Sequence, residues 1–99
     1  MAGQPKPVTF DAELWRHNGN AAWYFITTPP GAGDRIDDQA PLPRAGFGSV
    51  KVEATIGTST WSTSVFPGSD GWVLPVKKQI RKAEDIGEGD VVSVKLRVV

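Results

Sequence analysis

The sequence predicts a mainly β fold, a small β-barrel of about six strands with one main α-helix. Three observations carry that prediction. Six segments are rich in Val, Thr, Ile and aromatic residues and are broken at short intervals by Gly, Asn, Pro and Asp. A single stretch, Lys77 to Asp85, has the apolar spacing of a helix. The chain has 99 residues, a length that buries roughly 65% of the unfolded surface. That supports one core, and closing the sheet on itself hides most strand edges in so short a chain.

The first strand, Val8 to His17, sets Val8, Phe10, Ala12 and Leu14 on one face and Thr9, Asp11 and Glu13 on the other, the period of a half-buried strand. Asn18, Gly19 and Asn20 tolerate positive φ and predict a tight hairpin. Ala21 to Thr28 is apolar on both faces, with Trp23 and Phe25 on one and Tyr24 and Ile26 on the other, which predicts a central position or a crossing between layers. Pro29 to Gly46 holds four prolines, three glycines and no sustained period. It reads as a surface connection, the segment expected to be most mobile, with at most one helical turn near Asp34 to Gln39. Phe47 to Gly57 alternates Val50, Val52, Ala54 and Ile56 inward with Ser49, Lys51, Glu53 and Thr55 outward.

Gly57 and Thr58 turn into the next strand, Ser59 to Phe66, and Pro67 to Asp70 turn again before a short strand, Gly71 to Val76. In Lys77 to Asp85, Ile80 and Ala83 continue the apolar line of Val76 opposite Lys77, Lys78, Arg81 and Lys82. Gly87 and Gly89 are expected to stop this helix, and Asp90 to cap the turn after it. The last strand, Asp90 to Val98, alternates Val92, Val94, Leu96 and Val98 inward with Ser93, Lys95 and Arg97 outward. Leu14, Trp23, Phe25, Val52, Ile56, Val65, Leu74, Ile80, Val92, Val94 and Leu96 are the expected core. Residues 1–7 are expected to be a flexible segment ahead of a barrel domain spanning 8–99.

Eleven Lys and Arg balance eleven Asp and Glu, so the chain lacks the basic excess of a dedicated nucleic-acid or membrane-surface binder. With no Cys, disulfide frameworks, thiolate nucleophiles and sulfur-ligated zinc are excluded. Residues 1–7 contain no signal-peptide core, and no run approaches the ~18 apolar residues of a membrane span. The expected location is the cytoplasm, away from membranes.

The two halves share an order of pieces: strand, Gly/Asn/Asp turn, a Trp opening a short apolar strand, Pro, connection, Gly, alternating strand. Trp23 and Pro29 lead to Val50 in the first half, and Trp72 and Pro75 to Val92 in the second. A β-rich chain can also produce this order by chance. Read as an internal duplication, it predicts a pseudo-twofold barrel complete within one chain, hence a monomer.

The run Trp61 to Pro67, then Gly71, Leu74 to Lys78, Ile80 to Ala83 and Gly89 to Val94, resembles the domain of unknown function 1905 family. Phe10, Ala12, Leu14, Trp23, Phe47, Gly48, Ile56 and Gly57 fall where that family has similar residues, so the resemblance spans nearly the whole chain. It implies a double-split β-barrel, the architecture that AbrB-type regulators and MazE-type antitoxins build as swapped dimers, and it implies no established activity. Leu74-Pro75 through Arg81 to Gly89-Asp90-Val91 is also similar to the core pattern of those regulators, a weaker likeness because strand, Pro, helix and Gly-Asp is generic βαβ grammar.

Candidate chemistry is sparse. His17 stands alone at a hairpin end and reads as a solvated turn residue. Asp34, Asp37 and Asp38 do not have the spacing of a calcium loop and read as a solvated acidic stretch, with no metal expected. Gly31 to Gly33 and Gly87 to Gly89 lack the strand before and helix after that a dinucleotide site needs, so no cofactor is expected. Lys77, Lys78, Arg81 and Lys82 come nearest to a phosphate site, although Glu84, Asp85 and Glu88 follow and balance them. Trp15 falls on the polar face of its strand beside Arg16 and is a candidate contact, as is Trp61. Thr63 and Ser64 are candidate hydroxyls, without a nucleophile elbow or a Ser-x-x-Lys pattern.

The favoured function is a non-catalytic module that binds a small ligand or a protein partner, a ligand or peptide being held near Trp15, Trp61 and the Pro29 to Gly46 connection. The alternatives are an AbrB-like nucleic-acid-binding domain using Lys77, Lys78, Arg81 and Lys82, which zero net charge disfavours, and a hydrolase using Thr63 or Ser64.

Overall fold

The structure, a computed structural model, describes residues 6–19, 23–40 and 48–99. Its elements run β1 (Val8–His17), β2 (Trp23–Thr27), α1 (Pro30–Gln39), β3 (Val50–Ile56), β4 (Ser59–Pro67), β5 (Trp72–Pro75), α2 (Lys78–Glu84) and β6 (Val91–Val98). Every strand pairing is antiparallel, and the strands close into a barrel in the order β1-β2-β5-β4-β3-β6. The expected fold class is the observed one. Asn20, Ala21, Ala22, Phe47, residues 41–46 of the connection and residues 1–5 of the N-terminal segment lie outside the described residues.

Two long strands change partners along their length. β1 pairs with β6 from Val8 to Glu13 and with β2 from Leu14 to His17. β4 pairs with β3 from Ser59 to Val65 and with β5 at Phe66 and Pro67. Two sheets therefore share β1 and β4, and the barrel is split where each strand leaves one partner for the next. Exchanging β1 with β4, β2 with β5 and β3 with β6 reproduces the same ring, so the two halves have one topology. The equivalence of Trp23 and Trp72 does not hold, because Trp23 points outward and is 55% exposed whereas Trp72 is buried. The residues that match across the halves are Tyr24 with Trp72 and Ile26 with Leu74, a register one residue away.

The inward positions of β1, β3 and β6 are the expected ones. Ala54 is fully buried and stands directly between Trp61 on β4 and Leu96 on β6; its single methyl leaves room for both large neighbours. Ile36 of α1 and Ile80 of α2 are buried with the barrel residues in one core. Phe25 is only half-buried and Trp23 exposed, against the expected core, because the strand alternation of β2 turns Tyr24 and Ile26 inward. Ala83 is also exposed.

Within the Pro29 to Gly46 connection, where at most one helical turn is expected, Pro30–Gln39 is a ten-residue helix; the described residues hold two helices, not one. Pro30 opens α1, where a missing N–H costs nothing, and Ala32, Gly33 and Ile36 are buried on one face. Tertiary packing overrides the poor helix propensity of Gly31 and Gly33. Gly33 faces Thr28 and Trp72, where an added Cβ would lie 3.4 Å from Thr28 Oγ1 and 3.7 Å from Trp72 Cδ1, and the Trp72 indole N–H donates to Asp37 Oδ1 at 3.1 Å. Thr28 is buried, and its hydroxyl accepts the Trp72 backbone N–H at 3.0 Å while its own N–H donates to Trp72 O at 2.8 Å. Gly71 is required beside it: its φ is 146°, and a Cβ there would lie 2.6 Å from Thr28 O.

α2 ends at Asp85 in the left-handed region, φ 54°, not at Gly87; Ile86 N–H then returns to Arg81 O at 3.0 Å. Asp90 caps the following turn as expected, its carboxylate accepting Gly87 N–H at 2.8 Å.

Leu96 is fully buried and pairs with Val8 on one side and Ala54 on the other. Leu96→Ala should cost ~2–5 kcal/mol, read as a lower urea midpoint; an unchanged midpoint would place the side chain outside the core.

Candidate functional site

A split barrel leaves space beside the strands that change partner. Along Trp61 to Thr63, β4 pairs with β3 and not with β5, and α2, which follows β5, packs against β4. The result is a cavity of about 620 Å³ between the start of β2, the middle of β4, the end of β5 and α2. Lys77, Lys78 and Arg81 supply its charge, Trp23, Tyr24 and Trp61 its aromatic wall, and Ser62 and Thr63 its hydroxyls.

Arg81 is held in place. Its Nε donates to Val76 O at 3.2 Å, and its guanidinium lies 3.8 Å from the centre of the Tyr24 ring, a cation–π contact that fixes the plane of the fork. Both contacts join α2 to the β2–β5 end of the barrel, where Val76 N–H donates to Tyr24 O at 2.9 Å. Among the described residues, Lys77, Lys78 and Arg81 form no ion pair; the one seen there joins Arg97 to Glu53 at 3.9 Å on the outer face.

Glu84 does not neutralise these cations. Its carboxylate turns to the β3–β4 hairpin, accepting the Ser59 hydroxyl at 2.5 Å and the Thr58 hydroxyl at 3.3 Å. Gly57, φ 59°, makes room for it, since a Cβ there would collide with the carboxylate. The Ser59 hydrogen bond, with those of Thr58, holds the Glu84 carboxyl below the ordinary glutamate range despite some desolvation.

The structure thus brings together Trp61, Thr63, Lys77, Lys78 and Arg81 of the residues singled out in the sequence. It separates four others. Lys82 is exposed and does not line the cavity. Ser64 does not line the cavity and stands in register with Lys51. Arg16 is exposed at the end of β1. Trp15 is half-buried in a separate cluster, its indole N–H donating to Thr27 Oγ1 at 2.9 Å and its ring 5.1 Å from Phe25. Trp15 and Trp61 therefore do not share the ligand position expected of them.

Trp23, Tyr24 and Ser62 are lining residues that periodicity did not single out. Trp23 and Tyr24 belong to the continuous apolar run Trp23-Tyr24-Phe25-Ile26, which holds no signal to tell a lining position from a core one. Among the described residues, no three His, Asp or Glu side chains gather as a metal site would require. Among the described residues, no helix is long and apolar enough to cross a membrane.

A small, closed, six-stranded antiparallel β-barrel split at two long strands is the class of protein these features define. The chain belongs to the domain of unknown function 1905 family (DUF1905), whose model matches residues 10–96. No curated protein matches it.

A folded-state pKa held down means that Glu84 stabilises the fold at pH values above its unfolded pKa, and that this contribution fades as pH falls through the lowered value. Acid unfolding followed below about pH 4.5 should therefore show a steeper loss for the wild-type chain than for Glu84→Gln, whose stability should lie lower at neutral pH and vary less.

Proposed function

We propose that this domain is a non-catalytic binding module that takes a small organic anion in the cavity between β2, β4 and α2. One observation carries the reading: three cations with no carboxylate partner among the described residues line the same cavity as three aromatic rings. Clustered like charges repel, and an anion that bridges them relieves the repulsion. Arg81, already oriented by Val76 and Tyr24, would lose little further freedom on presenting its fork to a carboxylate or phosphate.

Zero net charge favours a small anion over duplex DNA, since attraction here is local. A duplex held by the three cavity cations would show a log–log salt slope near ~−2.7. For a hydrolase, Thr63 is the candidate of the pair Thr63 and Ser64 that lines the cavity, beside Ser62, and the side chains there offer cations and hydroxyls in place of a carboxylate or imidazole base.

Thermal unfolding with inorganic pyrophosphate at low salt tests the proposal. Pyrophosphate at 100 times its Kd should add about 2.7 kcal/mol of stability, a rise in Tm on the order of 10 °C for a domain of this size. The Lys77→Glu/Lys78→Glu double variant, changed at two exposed positions, should fold and show no rise. An unshifted wild-type midpoint at millimolar pyrophosphate would end the anion reading.

A further inference from the structure

The anion reading leaves the aromatic half of the cavity without a task, and three rings are not equally available for one. The Tyr24 ring already carries the Arg81 guanidinium on its face. Trp61 is 8% exposed and belongs to the core. Trp23 is different: it is 55% exposed although it sits within a strand. Its indole is parallel to the Phe25 ring, with centres 6.3 Å apart and planes within 8°, and it lines the cationic cavity, which Phe25 does not, so indole surface is open on the cavity side. Burying such a face is favourable, and a flat ring is the shape that covers it.

Trp23 lines the cationic cavity and also a neighbouring apolar groove formed with His17, Phe25, Phe66, Val73 and Pro75. It is the partition between a charged chamber and a greasy one. Ser62 and Thr63 sit on the β4 wall of the charged chamber, and neither hydroxyl has a side-chain hydrogen bond among the described residues. The arrangement sets three kinds of contact side by side: cations, hydroxyls, and an open indole face.

Resting on the anion reading, we infer that the ligand is a nucleoside monophosphate, its phosphate among Lys77, Lys78 and Arg81, its sugar beside Ser62 and Thr63, and its base stacked on the open face of Trp23. Sequence-tolerant base stacking on an aromatic side chain is strong enough to be read in affinity, and a cavity of about 620 Å³ falls within the range that holds small organic ligands.

Titration calorimetry with AMP, ribose 5-phosphate and adenosine separates the parts. AMP should bind about tenfold more tightly than ribose 5-phosphate, the share a stacked base contributes, and adenosine should bind most weakly. Trp23→Leu should bring AMP to the ribose 5-phosphate level and leave ribose 5-phosphate unchanged. On the unaltered protein, the AMP base protons should move upfield in the NMR spectrum on binding, as protons over an indole face do; this reading stands even if Trp23→Leu does not fold.

Equal affinities for AMP and ribose 5-phosphate, or base protons that do not move, would overturn the stacking inference while leaving the anion reading intact. Failure of AMP, ribose 5-phosphate and pyrophosphate alike would overturn both. A single-stranded oligoadenylate binding far more tightly than its number of nucleotides accounts for would replace the mononucleotide with a nucleic-acid strand.

Discussion

The structure depends on two strands being longer than either sheet needs. β1 and β4 each hydrogen-bond to one partner through their first part and to another through their last. A strand that changes partner must bend away from the first, and the gap it leaves exposes side chains and backbone that something else has to cover. Each helix follows the short strand of its own half and lies against a long one, α1 against β1 and α2 against β4. The positions of the helices, the closure of the barrel and the cavity beneath α2 are consequences of one change of hydrogen-bonding partner, made twice.

That constraint also accounts for the unlike outer faces of the two sheets. Where β4, β3, β6 and the first part of β1 run side by side their outward residues are polar and pair across strands: Thr55 with Thr60, Ser93 with Asp11, Arg97 with Glu53. Such exposed pairs contribute little individually, and they keep the face wet. Across β1, β2 and β5 the outward residues are Trp15, Trp23, Phe25 and Val73, and the rings cover one another where no helix does. A short, doubly apolar strand therefore remains compatible with a barrel whose interior is full.

Much of the architecture was legible because it depends on period and punctuation. Val50 to Ile56 and Val92 to Val98 alternate so regularly that only one register buries them. α1 was not legible, because its stability resides in contacts distant in sequence: Gly33 against Thr28 and Trp72, and Asp37 with the Trp72 indole. Propensity could not reveal a helix that propensity does not stabilise. Trp23 failed for the opposite reason: an aromatic in an apolar strand is read as core, while the two faces of β2 could be ranked only by the partners they meet. The basic residues near Lys77 were visible as a cluster, but their chemical setting was not. Glu84 reads as their counterweight in the sequence and in the fold is occupied by the hairpin at Thr58 and Ser59.

The zero charge of the chain conceals a separation. α1 carries Asp34, Asp37 and Asp38 around Arg35, whereas Lys77, Lys78, Arg81 and Lys82 crowd the stretch into α2 ahead of Glu84, Asp85 and Glu88. The two helices follow β2 and β5, which run antiparallel, and so sit at opposite ends of that pair. Charge is sorted locally on a symmetric topology. With a Debye length of ~10 Å at 0.1 M salt, whatever approaches the molecule meets the nearer cluster and not the zero sum.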